Sequence, residues 1–121
     1  MMRTMLKSKI HRARVTGACV DYEGSVTIDS DLLNAADILD YEQVHIYNVS
    51  NGERFSTYAI TGEAGSGVIC LNGAAARKVS VNDLVIICSY VTMDDSECRG
   101  HTSRNIYMDE NNRIKKPVSH T

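Results

Sequence analysis

The chain has 121 residues, 43% of them apolar and 23% charged, with a net charge of −2. That length suits one domain with a modest core, and the composition is that of an ordinary globular protein. The charge balance argues against a large nucleic-acid footprint or a basic membrane patch, and no apolar run reaches the ~18–20 residues of a membrane-spanning helix.

Met5 to Val15 alternates loosely, with Leu6, Ile10 and Val15 apolar among Lys7, Lys9, His11, Arg12 and Arg14. This predicts a strand whose charges suit a solvated sheet edge, where they oppose aggregation. The opening residues hold no apolar signal core, so a secretory leader is not expected. Tyr22-Glu23-Gly24-Ser25 reads as a turn, and the β-branched run Val26-Thr27-Ile28 as the strand that leaves it. Asp29-Ser30-Asp31 offers capping side chains and negative charge for a helix start. Leu32, Leu33, Ala36 and Leu39 then form one stripe at helical spacing.

Val44 to Val49 alternates and runs into Asn51-Gly52, a hairpin signal, which makes Arg54 to Ile60 the returning strand. Val68 to Leu71 and Leu84 to Val91 are continuous apolar runs, as expected of strands covered on both faces. Between them, Ala74-Ala75-Ala76-Arg77 after Asn72-Gly73 predicts a short helical turn. From Asp94 onward the chain is polar, its only proline is Pro117, and its end is expected to fray or to pack on a neighbouring subunit. No internal repeat is visible. Many short strands with one or two small helices predict a mainly β chain closed into a compact barrel.

The four cysteines, Cys19, Cys70, Cys88 and Cys98, include no Cys-x-x-Cys pair. Cys70 and Cys88 sit in apolar runs as small hydrophobes. With no leader, a cytoplasmic protein with reduced thiols is expected, and the sequon Asn48-Val49-Ser50 is then a chance match. Gly62, Gly65 and Gly67 lack the Lys-Ser/Thr ending of a phosphate loop, and no His/Cys cluster predicts a metal.

Four segments carry a more specific signal: RTMLKSKIHRARVT, YEGS, NGERFSTYAI and NGAAAR, in that order. Their sequence and spacing resemble the aspartate 1-decarboxylases, bacterial enzymes that make β-alanine for pantothenate, from Arg3 to Met93 without insertion. The resemblance implies a double-psi β-barrel, a homotetramer and a proenzyme that cuts itself at a Gly-Ser bond. Here that bond is Gly24–Ser25, giving chains 1–24 and 25–121, with 94–121 a polar, variable C-terminal segment of the single domain. Ser25 would become a pyruvoyl group that forms a Schiff base with the amine of L-aspartate. Neither pyridoxal phosphate nor a metal is then expected.

The chemistry fits these residue types. Serine supplies both the nucleophile for an N-to-O acyl shift and the carbon skeleton of the product. Glycine ahead of it removes a Cβ that would crowd the attack and reaches backbone conformations closed to other residues. Strain at such a turn, about 1–3 kcal/mol, is expected to assist, and the tetrahedral intermediate needs donors aimed at its oxyanion.

By position, the resemblance gives Arg54 the substrate carboxylate, Thr57 a part in cleavage and substrate contact, and Tyr58 the proton returned to the carbanion. It makes Asn72, Gly73, Ala74 and Ala75 a substrate-binding loop. Lys9 and His11 match basic residues near the family's site, Tyr22 precedes the cut, and Ile60 and Ile86 match apolar walls. Read alone, each has a plainer role: a solvated arginine after a hairpin, a β-prone threonine, a core tyrosine, a turn into a helix, charges along a strand. Tyr47 stands where the family often has tryptophan. Some members depend on a helper protein for maturation. Two other functions stay open: a non-catalytic double-psi recognition module that keeps the motifs, and a pyruvoyl decarboxylase of another small amino acid such as glutamate. An extra methylene is worth only about 1–3 kcal/mol in a pocket.

Overall fold

In a computed structural model, which describes residues 1–115 and the backbone of 119–120, alternation along short strands builds a barrel around aliphatic side chains. The chain runs β1 (Met2–Arg14), β2 (Gly17–Cys19), β3 (Ser25–Asp29), α1 (Ser30–Ala36), β4 (Gln43–Asn48), β5 (Arg54–Gly62) and β6 (Ile69–Asn72). A 3-10 helix (Gly73–Lys78), β7 (Leu84–Asp94), α2 (Asp95–Cys98), β8 (Arg104–Tyr107) and β9 (Ser119–His120) follow. Ile10, Val26, Ile28, Ile46, Leu71 and Ile87, from five different strands, are fully buried in the interior. Each such side chain contributes roughly 1.5–3 kcal/mol on leaving water.

The strand order is β2-β6-β3-β5-β4-β7-β1-β8-β9. Only Val15 and Thr16 separate β1 from β2, and both donate backbone hydrogen bonds to the barrel, Val15 to Asp83 and Thr16 to Ile69. One continuous run therefore pairs with β7 at one end and β6 at the other, closing six strands into a barrel. The pairing repeats itself. Parallel β3–β5 is matched by parallel β6–β2, and antiparallel β4–β5 by antiparallel β7–β1. Two units, β1/β2-β3-α1-β4 and β5-β6-3-10 helix-β7, thus interlock about an approximate twofold, the topology of a double-psi β-barrel. The repeat lies in the hydrogen bonding and has no counterpart in the residue sequence.

Three local expectations differ from the structure. The basic strand is not a sheet edge: β1 pairs antiparallel with β7 and parallel with β8. Its charges point outward from a central strand, where Lys7 Nζ lies 2.9 Å from the Glu42 carboxylate and also donates to the Asp37 carbonyl. The helical stripe stops before Leu39. The Asp29 carboxylate accepts from Asp31 N at 2.8 Å to cap α1, and Asp37 ends it in the left-handed conformation, φ 56°. Ile38 then turns inward and Leu39 is 70% exposed.

The third difference is the C-terminal segment. Residues 104–107 form β8, and Asn105, Ile106, Met108 and Asn112 are buried. Asn112 staples this segment to the barrel. Its Oδ1 accepts from Arg14 N at 2.7 Å, and its Nδ2 donates to the carbonyls of Arg14 and Gly67, each at 2.8 Å. Asn112→Ala is expected to lower stability by about 2–4 kcal/mol, because it strips buried backbone groups of partners. Urea unfolding checks this through the midpoint at unchanged slope. Pro117 lies outside the described residues.

Candidate active site

Val26 and Ile28 face the core, so Ser25 and Thr27 share the opposite, outer face of β3. Pairing sets Ser25 opposite Asn72 and Thr27 opposite Cys70 on β6. In the parallel register with β5, Val26 lies beside Ala59 and Thr27 beside Ile60, so Tyr58 falls beside Ser25 one step earlier. Strand pairing alone therefore gathers Ser25, Thr27, Tyr58, Ile60, Cys70 and Asn72, which are scattered over 48 positions of sequence.

Ser25 is 6% exposed, and its Oγ accepts a 3.0 Å hydrogen bond from Asn72 Nδ2. The second Nδ2 hydrogen goes to Thr27 Oγ1 at 3.1 Å. A pocket of about 430 Å³ opens beside Gly24, lined by Phe55, Ser56, Thr57, Tyr58, Ala74, Ala75 and Lys78. Phe55, Ser56 and Lys78 were not legible as site residues. Phe55 and Ser56 follow from their neighbours on β5. Lys78, ion-paired to Glu53 at 3.1 Å, arrives through the 3-10 helix and left no motif.

Gly24 does not carry the strain expected of it. Its φ is outside the left-handed region, and a Cβ built there would meet only the Asn72 carbonyl, at 4.0 Å. The demanding glycine is Gly73, with φ +69°. A Cβ on Gly73 would sit 2.6 Å from Gly24 N, 2.7 Å from Gly24 Cα and 2.8 Å from the Tyr22 carbonyl oxygen. Backbone thus packs directly on backbone just ahead of the Gly24–Ser25 peptide. The Tyr22 ring itself is mostly in solvent, 68% exposed.

The basic candidates gather elsewhere. Arg54 stacks its guanidinium on the Tyr47 ring, 3.9 Å from the centroid. Tyr47 Oη and Tyr90 Oη share a 2.7 Å hydrogen bond, and His45 meets the Tyr90 ring edge-on at 5.1 Å. Lys9 pairs with Cys88, which pairs with His45, and Ile86 pairs with Tyr47, so all belong to the outer face of β1, β7 and β4. Burial and the hydrogen bond with Tyr47 push the Tyr90 phenol well above its ordinary value, so it stays protonated. Arg54 is four residues from Tyr58 along β5, about 13 Å at ~3.3 Å per residue, and lies outside the pocket lining. One chain therefore presents a serine cluster and a basic cluster as separate groups, spaced along β5, with Arg54 outside the pocket.

His11 joins neither. It packs edge-on against Tyr107 at 5.6 Å with its Nδ1 buried. Burial, reinforced by Lys9 and Arg12, lowers its pKa, which favours the neutral ring near pH 7.

Among the described residues, no histidine or carboxylate lines the pocket beside Gly24. Ser25 is thus a buried serine held by an amide, at the start of a barrel strand and beside a backbone-on-backbone contact. Sequence comparison supplies the family: residues 1–115 match the aspartate decarboxylase family model, and the chain belongs to that family. It is 62% identical to the aspartate 1-decarboxylase of Syntrophus aciditrophicus strain SB, covering 95% of this chain and 99% of that one. It is 59% identical to the aspartate 1-decarboxylase of Syntrophomonas wolfei subsp. wolfei, covering 96% and 98%. The aspartate 1-decarboxylase of Thermoanaerobacter pseudethanolicus is 56% identical, covering 98% and 99%.

Proposed function

We propose that this chain decarboxylates L-aspartate to β-alanine and carbon dioxide for pantothenate synthesis, after cutting itself between Gly24 and Ser25. The observation that carries the reading is the pinned Ser25 oxygen, one residue past the pocket-lining Gly24, in a chain 62% identical to an aspartate 1-decarboxylase along almost its whole length. Ser25 Oγ bonds to the Gly24 carbonyl carbon, the C–N bond breaks, and the hydroxyl proton ends on the freed nitrogen. Loss of the Ser25 Cα proton then expels Gly24 as a carboxylate. Water converts the remaining dehydroalanine to a pyruvoyl group and ammonia.

The surroundings suit such a group. Gly73 lets the Tyr22–Gly24 backbone approach closely just ahead of residue 25, and Ala74 and Ala75 keep the pocket wall small. When present, the pyruvoyl ketone supplies the electron sink for the pair left at the substrate Cα. Asn72 donates to the oxygen-bearing end of residue 25, and Thr57 offers a hydroxyl from the pocket wall. Tyr58 delivers the proton that replaces carbon dioxide. Tyr58→Phe is expected to cut normally but to lose about 10²–10⁴-fold in kcat. Steady-state turnover at the normal rate would remove Tyr58 from this role.

Arg54 holds the carboxylate that aspartate keeps, with Lys9 adding attraction and Ile86 an apolar wall. Since Arg54 stacks on Tyr47 outside the pocket beside Gly24, these roles call for a second copy that turns its basic face to the pocket. The homotetramer implied by the resemblance provides one. Arg54→Ala is expected to lower kcat/KM about 10²–10³-fold. Assemblies co-expressed from Arg54→Ala and Ser25→Ala chains should then exceed either parent, because some sites pair an intact serine with an intact arginine. Mixed assemblies as inactive as both parents would mean that each chain supplies its own arginine.

Among the described residues no helix is long and apolar enough to cross a membrane, and the four cysteines are free. A cytoplasmic location fits these. Intact mass under denaturing conditions tests the whole reading. Fragments 1–24 and 25–121 are expected, the second lighter by one ammonia than a serine-started chain. An uncut chain that stays uncut in a lysate of its own cells, where any helper is present, would favour a recognition module.

A further inference from the structure

We propose that Cys70 and Thr27 are positioning residues for Asn72: they set which way its side-chain amide faces, and so the rate at which the chain cuts itself. The inference rests on the self-cleavage reading above. An asparagine amide has two nearly identical placements, related by a flip that exchanges its donor and acceptor ends. The hydroxyls of Ser25 and Thr27 do not choose between them, since each can donate or accept. The third contact does. Cys70 Sγ donates to Asn72 Oδ1 at 3.5 Å, and a thiol is a donor before it is an acceptor. That leaves both Nδ2 hydrogens for Ser25 Oγ and Thr27 Oγ1, at 3.0 and 3.1 Å.

Two further features support the clamp. Gly17, paired with Cys70 on β2, leaves room for the sulfur: a Cβ there would come within 3.1 Å of Sγ. Burial, with Cys19 nearby, raises the Cys70 pKa, so the thiol keeps the proton that it donates. With the amide held this way, one lone pair of Ser25 Oγ is tied to Asn72, and the other remains for the Gly24 carbonyl carbon. A flipped amide would instead present an acceptor and draw the hydroxyl proton toward Asn72, turning the oxygen away from its attack direction. Thr27 completes the clamp by occupying the second N–H.

The test follows cleavage rather than decarboxylation. Freshly purified or translated chains are incubated, and loss of the intact mass is timed for wild type, Cys70→Ala, Cys70→Ser and Thr27→Val. Cys70→Ala and Thr27→Val are each expected to cut roughly fivefold more slowly, the effect of one lost hydrogen bond. Cys70→Ser restores a donor and is expected to return within about twofold of wild type. Melting temperatures in a Ser25→Ala background keep folding damage apart from positioning, and should coincide for Cys70→Ala and Cys70→Ser. Unchanged rates in Cys70→Ala overturn the proposal. So does equal slowing in Cys70→Ala and Cys70→Ser, which would mean that the sulfur acts by its volume. A wild-type chain that never cuts overturns the self-cleavage reading and this inference with it, and no variant is needed to see that.

Discussion

Ser25→Ala is expected to leave a single uncut chain of 13.4 kDa with no decarboxylase activity. The variant lacks the oxygen proposed to attack Gly24. The Thr27 hydroxyl is the nearest on the same strand face, but it is two residues from the bond and already engaged by Asn72. The fold should survive. Alanine fits where serine is 6% exposed, and Asn72 loses one of two acceptors, a cost of about 1 kcal/mol. Intact mass, a thermal melt and carbon dioxide release check the three statements separately. A cut at residue 24 in this variant would place the nucleophile elsewhere and dismantle the proposed mechanism.

Gly73→Ala is the second large effect, and it falls on the backbone. The substitution forces an alanine to φ +69° and drives its Cβ to 2.6–2.8 Å from Gly24 and the Tyr22 carbonyl. All three neighbours are main-chain atoms, so no rotamer change relieves the clash. Either the 3-10 helix moves or the Tyr22–Gly24 segment does, and both carry the Gly24–Ser25 bond away from Asn72. A stability loss of roughly 3 kcal/mol or more and cleavage slowed at least ~100-fold are expected. Gly52→Ala is the matched control. Gly52 has φ +81° but nothing within 4 Å of a built Cβ, so it should cost only about 1 kcal/mol and leave cleavage intact. Similar cleavage defects in both would show that backbone conformation, not the contact with Gly24, is what matters.

The elements legible in the sequence are those specified within a few residues. Asp29 caps α1, Asn51-Gly52 turns β4 into β5, and the β-branched run after Gly24 becomes β3. What escaped reading depends on distant partners. β1 looks like an edge because its charges alternate with apolar residues, yet a strand can expose one face while both of its hydrogen-bonding sides are taken. Residues 104–112 look polar because their buried members include Asn105, which accepts from Ser103 Oγ, and Asn112, which satisfies backbone groups rather than filling a core.

The site divides the same way. Resemblance supplied Ser25, Thr57, Tyr58 and the Asn72–Ala75 loop, and the structure brings these together. It gathers Lys9, Arg54 and Ile86 around Tyr47 instead, a separation that only the barrel's closure reveals. Cys70 and Thr27 could have been suspected from spacing alone, since each lies two positions from a site residue and therefore on its face. The misplaced strain has a simple cause: sequence shows which residues are glycines but not which of them is pressed against another backbone.

β1 and β2 precede Gly24, and every strand they pair with, β6, β7 and β8, follows Ser25. A cut between these residues would leave the barrel sealed by a 24-residue peptide with no covalent hold on it. Until then, the segment is tethered, and its local concentration near its partners is on the order of millimolar. After such a cut, any full unfolding would set the peptide free, and its return would be a meeting of two molecules. The uncut chain would thus be the form that assembles as one piece. The mature barrel would keep a shape that its two separated chains have a much poorer chance of finding again, so its persistence would depend on how slowly it opens.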